Sequence, residues 1–188
     1  MNLAGDRVAI GAPYNDGTGD NAGHVRVYEY NNSSWNKLGD DIDGEAAQDH
    51  SGNSVSINSA GDRLAIGAQQ NDGTAGLAGH VRVYEYSNSS WSQLGSDIDG
   101  EAASDFFGTS VSMNLAGDRV AIGAPYNDGT GDNAGHVRVY EYSNSSWTQL
   151  GSDIDGEAEG DLSGIEVSMN SAGDRVAIAA LAHDGSAS

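Results

Sequence analysis

The chain has no cysteine, only two prolines and a single lysine, Lys37. Without thiols there is neither a disulfide staple nor a thiolate metal centre, and the redox compartment cannot be read. Basic side chains are scarce, with 8 Lys and Arg against 28 Asp and Glu, a formal net charge of −20. So acidic a surface is repelled by nucleic acid and by anionic membranes, which excludes both as partners. It suits high-salt or calcium-rich surroundings and cationic partners. No apolar run approaches the roughly 20 residues that cross a bilayer, so no membrane insertion is expected. A secretory leader is also missing. Met1 occupies a place inside a repeat, however, which is how a fragment would begin, and the missing leader says little about export.

What the chain has in quantity is glycine, 27 residues, and self-similarity. Gly-Asp-Arg begins at Gly5, Gly61, Gly117 and Gly173, a period of 56 residues. The stretch from Met1 to Tyr30 recurs letter for letter from Met113 to Tyr142. Repetition at this period points to an array of like units. Residues 1–188 read as one such array, with units at 1–49, 50–105, 106–161 and a partial one at 162–188. High charge with low hydrophobicity can mean disorder, but here the apolar residues are periodic and rich in Val, Ile and Tyr.

Each period reads as four short strands. Ser110-Val111-Ser112-Met113 alternates small polar with apolar residues, the mark of a half-buried strand. Asn114 to Asp118 is turn chemistry. From Arg119 to Ala124, Val120 and Ile122 fall on one face and Ala121 and Gly123 on the other, a small face that lets another layer approach closely. A glycine-rich loop follows, then a β-branched and aromatic strand from His136 to Tyr142. Ser143 to Ser146 turns the chain into a fourth strand carrying Trp147 and Leu150. Helical spacing is absent. Strands are expected near 6–12, 24–30 and 53–58, with their repeats.

Four antiparallel strands in this span is the size of a propeller blade. The fold class expected is all-β, tandem four-stranded antiparallel blades of a β-propeller. One blade cannot bury both faces, so Val, Tyr and Trp recur once per repeat to fill each junction. Phe107-Gly108-Thr109-Ser110-Val111, Ala121-Ile122-Gly123-Ala124-Pro125 and Gly135-His136-Val137-Arg138-Val139-Tyr140 resemble the FG-GAP repeat of the integrin α-subunit propeller and its microbial relatives. The Phe-Gly pair is complete only at Phe107-Gly108, and Gly-Ala-Pro becomes Gly67-Ala68-Gln69 and Ala179-Ala180-Leu181 in two copies.

The resemblance implies calcium in the turn between the first two strands. Asn58 to Asp62 and Asn114 to Asp118 supply two oxygen side chains each, short of the six to eight ligands that calcium takes. A plain hairpin turn is the better reading there. The alternative Ca2+ site is the acidic tract between blades. It comprises Asp41, Asp43, Glu45 and Asp49, and recurs as Asp97, Asp99, Glu101, Asp105 and as Asp153, Asp155, Glu157, Asp161. Alternate carboxylates around a glycine suit a hard cation, although the same residues serve solvated loops, the reading favoured. Asp16 to Asp20 is a weaker candidate, since its last acid is Gly76 in the second copy.

His24, His80 and His136 recur at equivalent places in different blades, which favours a structural role over catalysis. Trp35, Trp91 and Trp147 read as junction fillers rather than a sugar platform. Asn32, Asn88 and Asn144 open Asn-Ser-Ser sequons in an exposed hairpin, serving either turn chemistry or glycosylation.

The function expected is a non-enzymatic extracellular or surface module for adhesion, binding or assembly, taking a protein or glycan ligand. The alternative is a structural subunit polymerising head to tail. A carbohydrate-binding or hydrolytic propeller ranks below both. Three blades are fewer than propellers normally use, so a partial propeller completed as a homo-oligomer through the chain ends is expected.

Overall fold

A computed structural model describes residues 1–182. The first blade holds β1 (Arg7–Ala12), β2 (His24–Asn31), β3 (Ser34–Lys37) and β4 (Ile42–Asp43). The second holds β5 (Ser54–Ile57), β6 (Arg63–Ala68), β7 (His80–Ser87), β8 (Ser90–Gln93) and β9 (Ile98–Asp99). The third repeats it as β10 (Ser110–Met113), β11 (Arg119–Ala124), β12 (His136–Ser143), β13 (Ser146–Gln149) and β14 (Ile154–Asp155), and β15 (Ser163–Met169) and β16 (Val176–Ala180) follow. No helix occurs among the described residues.

Each full blade is an antiparallel meander, β5-β6-β7-β8 or β10-β11-β12-β13. The fourth strand is broken: β8 and β9 both pair with β7, and Gly95 at positive φ lies between them. Leu94 and Leu150 therefore lie just past the ends of β8 and β13 rather than within a continuous fourth strand. The four sheets stay separate and do not close into a ring among the described residues.

The hairpin between the third and fourth strands is a two-residue turn. Asn32-Ser33, Asn88-Ser89 and Asn144-Ser145 all take positive φ, between 49° and 66°. That is the primed turn whose twist suits two right-twisted strands, and Asn tolerates it well.

The core lies between sheets rather than within one. Val25, Val27 and Ile42 of the first blade pack on Leu64, Ile66 and Tyr84 of the second. Val81, Val83, Ile98 and Phe107 likewise meet Met113, Val120 and Ile122. The alternation along the second strand sorts its side chains accordingly: Val120 and Ile122 face back to the preceding blade, while Ala121 packs with Val137 and Val139 against the following sheet. Trp91 donates its indole N–H to Leu38 O at 2.8 Å, and Trp147 donates to Leu94 O at 2.7 Å, so each of these tryptophans bridges two blades.

The serines of the first strand also face a neighbour. Ser54 and Ser110 donate their hydroxyls to Gly108 O and Gly164 O, while Ser56 and Ser112 accept the N–H of Met113 and Met169. The arginine of Gly-Asp-Arg does the same. Arg7, Arg63 and Arg119 each reach the carbonyl of the next repeat's glycine at 3.2 Å while pairing with Glu29, Glu85 and Glu141.

Candidate functional site

The turn between the first two strands is closed by its own asparagine. Asn58 Oδ1 accepts the N–H groups of Asp62 and Arg63 at 3.0 Å, and Asn58 Nδ2 donates to Asp62 Oδ1 at 2.8 Å. Asn2, Asn114 and Asn170 make the same set. An amide N–H pointing at the aspartate stands where a cation would have to sit. These turns therefore do not fit calcium, which requires a shell of oxygens.

The acidic tracts do not gather into one shell per loop. Asp49, Asp105 and Asp161 are buried. Their carboxylates accept main-chain N–H groups of their own loops, from Ala46, Ala102 and Ala158, and Asp49 and Asp105 also accept Asn71 and Asn127 of the next blade. Asp49 and Asp105 thus close their own loops and join blades, and Asp161 closes its loop. Asp43, Asp99 and Asp155 stand in the short strands, directly across from His24, His80 and His136. Glu157 is exposed, and its main-chain N–H donates to Asp161.

Asp41, Asp97 and Asp153 lie near the arginine or histidine of their own third strand. Asp41 is bound by Arg26 and Lys37, and those hydrogen bonds hold its carboxyl well below the usual carboxylate range. Asp153 takes both Nε and Nη2 of Arg138, which lowers it as well. Glu45 and Glu101 cross to the following blade, where Glu45 meets Arg82 at 3.1 Å and Glu101 meets Arg138.

Among the described residues three clusters result, each with one imidazole and two carboxylates: His24, Asp41 and Asp43; Glu45, His80 and Asp97; Glu101, His136 and Asp153. The last two draw ligands from two blades. Such donor sets can bind a divalent metal. Burial, reinforced by Arg82 and Arg138, pushes the His80 and His136 imidazoles down, His80 to about 4. Both are thus neutral near pH 7, the form that ligates.

From the sequence alone the histidines are expected to be structural, because each belongs to a different blade. They are separate, but each collects acids around it, two of them across a junction. The signal that could have found this is the recurring His-x-Arg on one face of the third strand (His24 and Arg26, His80 and Arg82, His136 and Arg138), beside an acidic tract. Asn32, Asn88 and Asn144 lie exposed at the hairpin tips.

The FG-GAP repeat family matches residues 97–140. No curated protein matches the chain. Among solved structures, one similar fold is a protein of Bacteroides uniformis ATCC 8492 provisionally assigned as a 6-phosphogluconolactonase. It has a TM-score of 0.55 at 8% identity, over 81% of this chain and 40% of that one. Another is hydrazine synthase of Kuenenia stuttgartiensis, with a TM-score of 0.50 at 8% identity, over 81% of this chain and 34% of that one. The chain thus spans well under half the length of either, and identities this low speak to fold alone. Residues 97–140 thus match an FG-GAP repeat, and the fold of the chain is an array of β-propeller blades.

Proposed function

We propose that the protein is a non-catalytic binding and assembly module of the extracellular or cell-surface kind, working through blade-to-blade stacking between copies. The observation that carries this reading is the back face of the first blade. Ile10 is 52% exposed there, whereas its counterparts Ile66 and Ile122 are 2% and 0% exposed. Val8, Tyr28 and Trp35 line the same open apolar hollow. A contiguous apolar face of this kind marks an interaction surface.

A second apolar surface is exposed on the same molecule. Leu150 and Ile154 are open, while Ile42 and Ile98, the counterparts of Ile154, are buried under the next blade. β15 and β16 already cover part of the third blade, so a contact at Leu150 and Ile154 would be made beside Val176 rather than by a whole first blade. A non-catalytic role also agrees with the polar groups, which recur from blade to blade; a hydrolytic pocket would need unlike groups converging. Protein or glycan ligands are the partners this reading admits. In an exported eukaryotic setting Asn32, Asn88 and Asn144 would carry glycans. Calcium is a poorer cation for the acidic clusters than a metal that accepts nitrogen, because an imidazole sits in each.

Sedimentation or light scattering across a concentration series tests the reading. Association is expected, and Ile10→Asp should reduce it by burying a charge in the contact. A discrete small species favours the binding module, and an open-ended series favours the structural polymer. A monomer at all concentrations, unchanged by Ile10→Asp, would count against both.

A further inference from the structure

We propose that Glu101, His136 and Asp153 form a binding site for a divalent transition metal of the zinc or nickel class, bridging the second and third blades. Glu101 follows β9 of the second blade. His136 opens β12, and Asp153 directly precedes β14, both of the third blade. Their ligand atoms all lie within 4.8 Å of one another.

The second observation is the histidine itself. Its side chain is 1% exposed, and its Nδ1 is buried with no hydrogen-bond partner. That nitrogen faces the carboxylates, 3.9 Å from Glu101 Oε1 and 3.8 Å from Asp153 Oδ2. The separations are too long for a hydrogen bond and suit an ion between the groups. A buried polar atom without a partner is costly, and native proteins rarely keep one without a reason. With metal–ligand distances of about 2.0–2.2 Å, a site needs ligand atoms roughly 3–3.5 Å apart, so small side-chain rotations complete it.

Arg138 supports this arrangement. Its Nη2 binds Glu101 Oε2 and Asp153 Oδ2, its Nε binds Asp153 Oδ1, and Asn127 Nδ2 donates to Glu101 Oε1 at 3.1 Å. These contacts orient both carboxylates toward the ring, as outer partners do at metal sites. Two carboxylates outweigh the one guanidinium, in a chain of net charge −20. One imidazole among the ligands selects a borderline metal over calcium, whose ligands are oxygens. The other two clusters are less complete. His80 Nδ1 is paired in this way only with Asp97, at 3.9 Å, and its partnerless nitrogen is Nε2. His24 meets only acids of its own blade, and Lys37 already binds one of them.

Ligands drawn from both blades would tie the junction together, so binding should stabilise the fold. The test is titration of the full, chelator-treated chain with Zn2+ by calorimetry, with the unfolding temperature read in parallel. The expected result is saturable binding with a raised unfolding temperature. Glu101→Gln, which keeps the shape of the side chain, should weaken binding more than the roughly 10–100-fold that loss of an outer partner costs. His136→Gln should abolish it, while His80→Gln leaves it largely intact. Two results would overturn the proposal: no binding at millimolar Zn2+, or binding unchanged in a folded Glu101→Gln variant.

Discussion

A Cβ placed on Gly67 would overlap the carbonyl oxygen of Gly108 in the next blade. The same clash recurs between Gly11 and Gly52 and between Gly123 and Gly164. The glycine of Gly-Ala-Pro is thus required by the close approach of a neighbouring backbone rather than by an unusual φ. Gly67→Ala is expected to lower stability by at least about 1–3 kcal/mol, because neither backbone can give way. Gly76→Ala, in open space, should stay within about 0.5 kcal/mol. Equal urea midpoints for the two variants would contradict this account.

The asparagine turns should differ according to their burial. Asn114 is buried and accepts the N–H groups of Gly117, Asp118 and Arg119. Asn114→Ala strands those donors and should cost about 1–3 kcal/mol. Asn170 makes an exposed version of the same turn, so Asn170→Ala should cost under about 1 kcal/mol. Chemical unfolding of the pair checks the order.

Trp147 and Trp35 occupy equivalent places, yet only Trp147 has a blade beneath it, where its indole N–H meets Leu94 O at 2.7 Å. Trp147→Phe should destabilise by about 1 kcal/mol, through the lost hydrogen bond and its stranded acceptor. Trp35→Phe should leave monomer stability within about 0.5 kcal/mol. Thermal unfolding at low concentration separates these effects from association.

The unfolding midpoint should fall with acid. Burial first, then Arg82, lowers His80 from 6.5 to about 4, against the opposing pull of Asp97 and Asp49. Between those values the unfolded chain binds a proton that the folded chain refuses. The stability from this group is therefore fully present above about pH 6.5 and is lost as pH falls toward 4, on the order of 3 kcal/mol in all. His136 moves in the same direction. Urea midpoints from pH 7.5 to 4, with chelator present, should show the decline, and His80→Gln should make it shallower. An unchanged slope in that variant would refute the assignment.

Much of the blade was legible in the residues themselves. The 56-residue period, the alternation of Val120 and Ile122 with Ala121 and Gly123, and the Asn-Ser turns are local properties. They define strand, face and hairpin wherever they occur, because side-chain period and turn geometry act over a few residues. The serines of the first strand were legible only as polar positions, since their partners, such as Met113 for Ser56, belong to the next repeat.

The acidic tracts show the limit most clearly. Read along the chain, Asp97, Asp99, Glu101 and Asp105 are one tract. Packing sends Glu101 to Arg138, Asp105 to Asn127 and Asp97 toward His80, because the tract runs along a junction and each acid meets whichever neighbour lies beside it. The identical stretches from Met1 to Tyr30 and from Met113 to Tyr142 make the same point without any difference in sequence. In the second of them Ile122 is sealed and Arg138 buried, while in the first Ile10 and Arg26 are exposed. Local sequence determined that both stretches form the same strands. Which of their side chains form a core or a charged cluster was decided by whether another blade lies against the face, since burial and electrostatics depend on neighbours that a residue's own sequence does not contain.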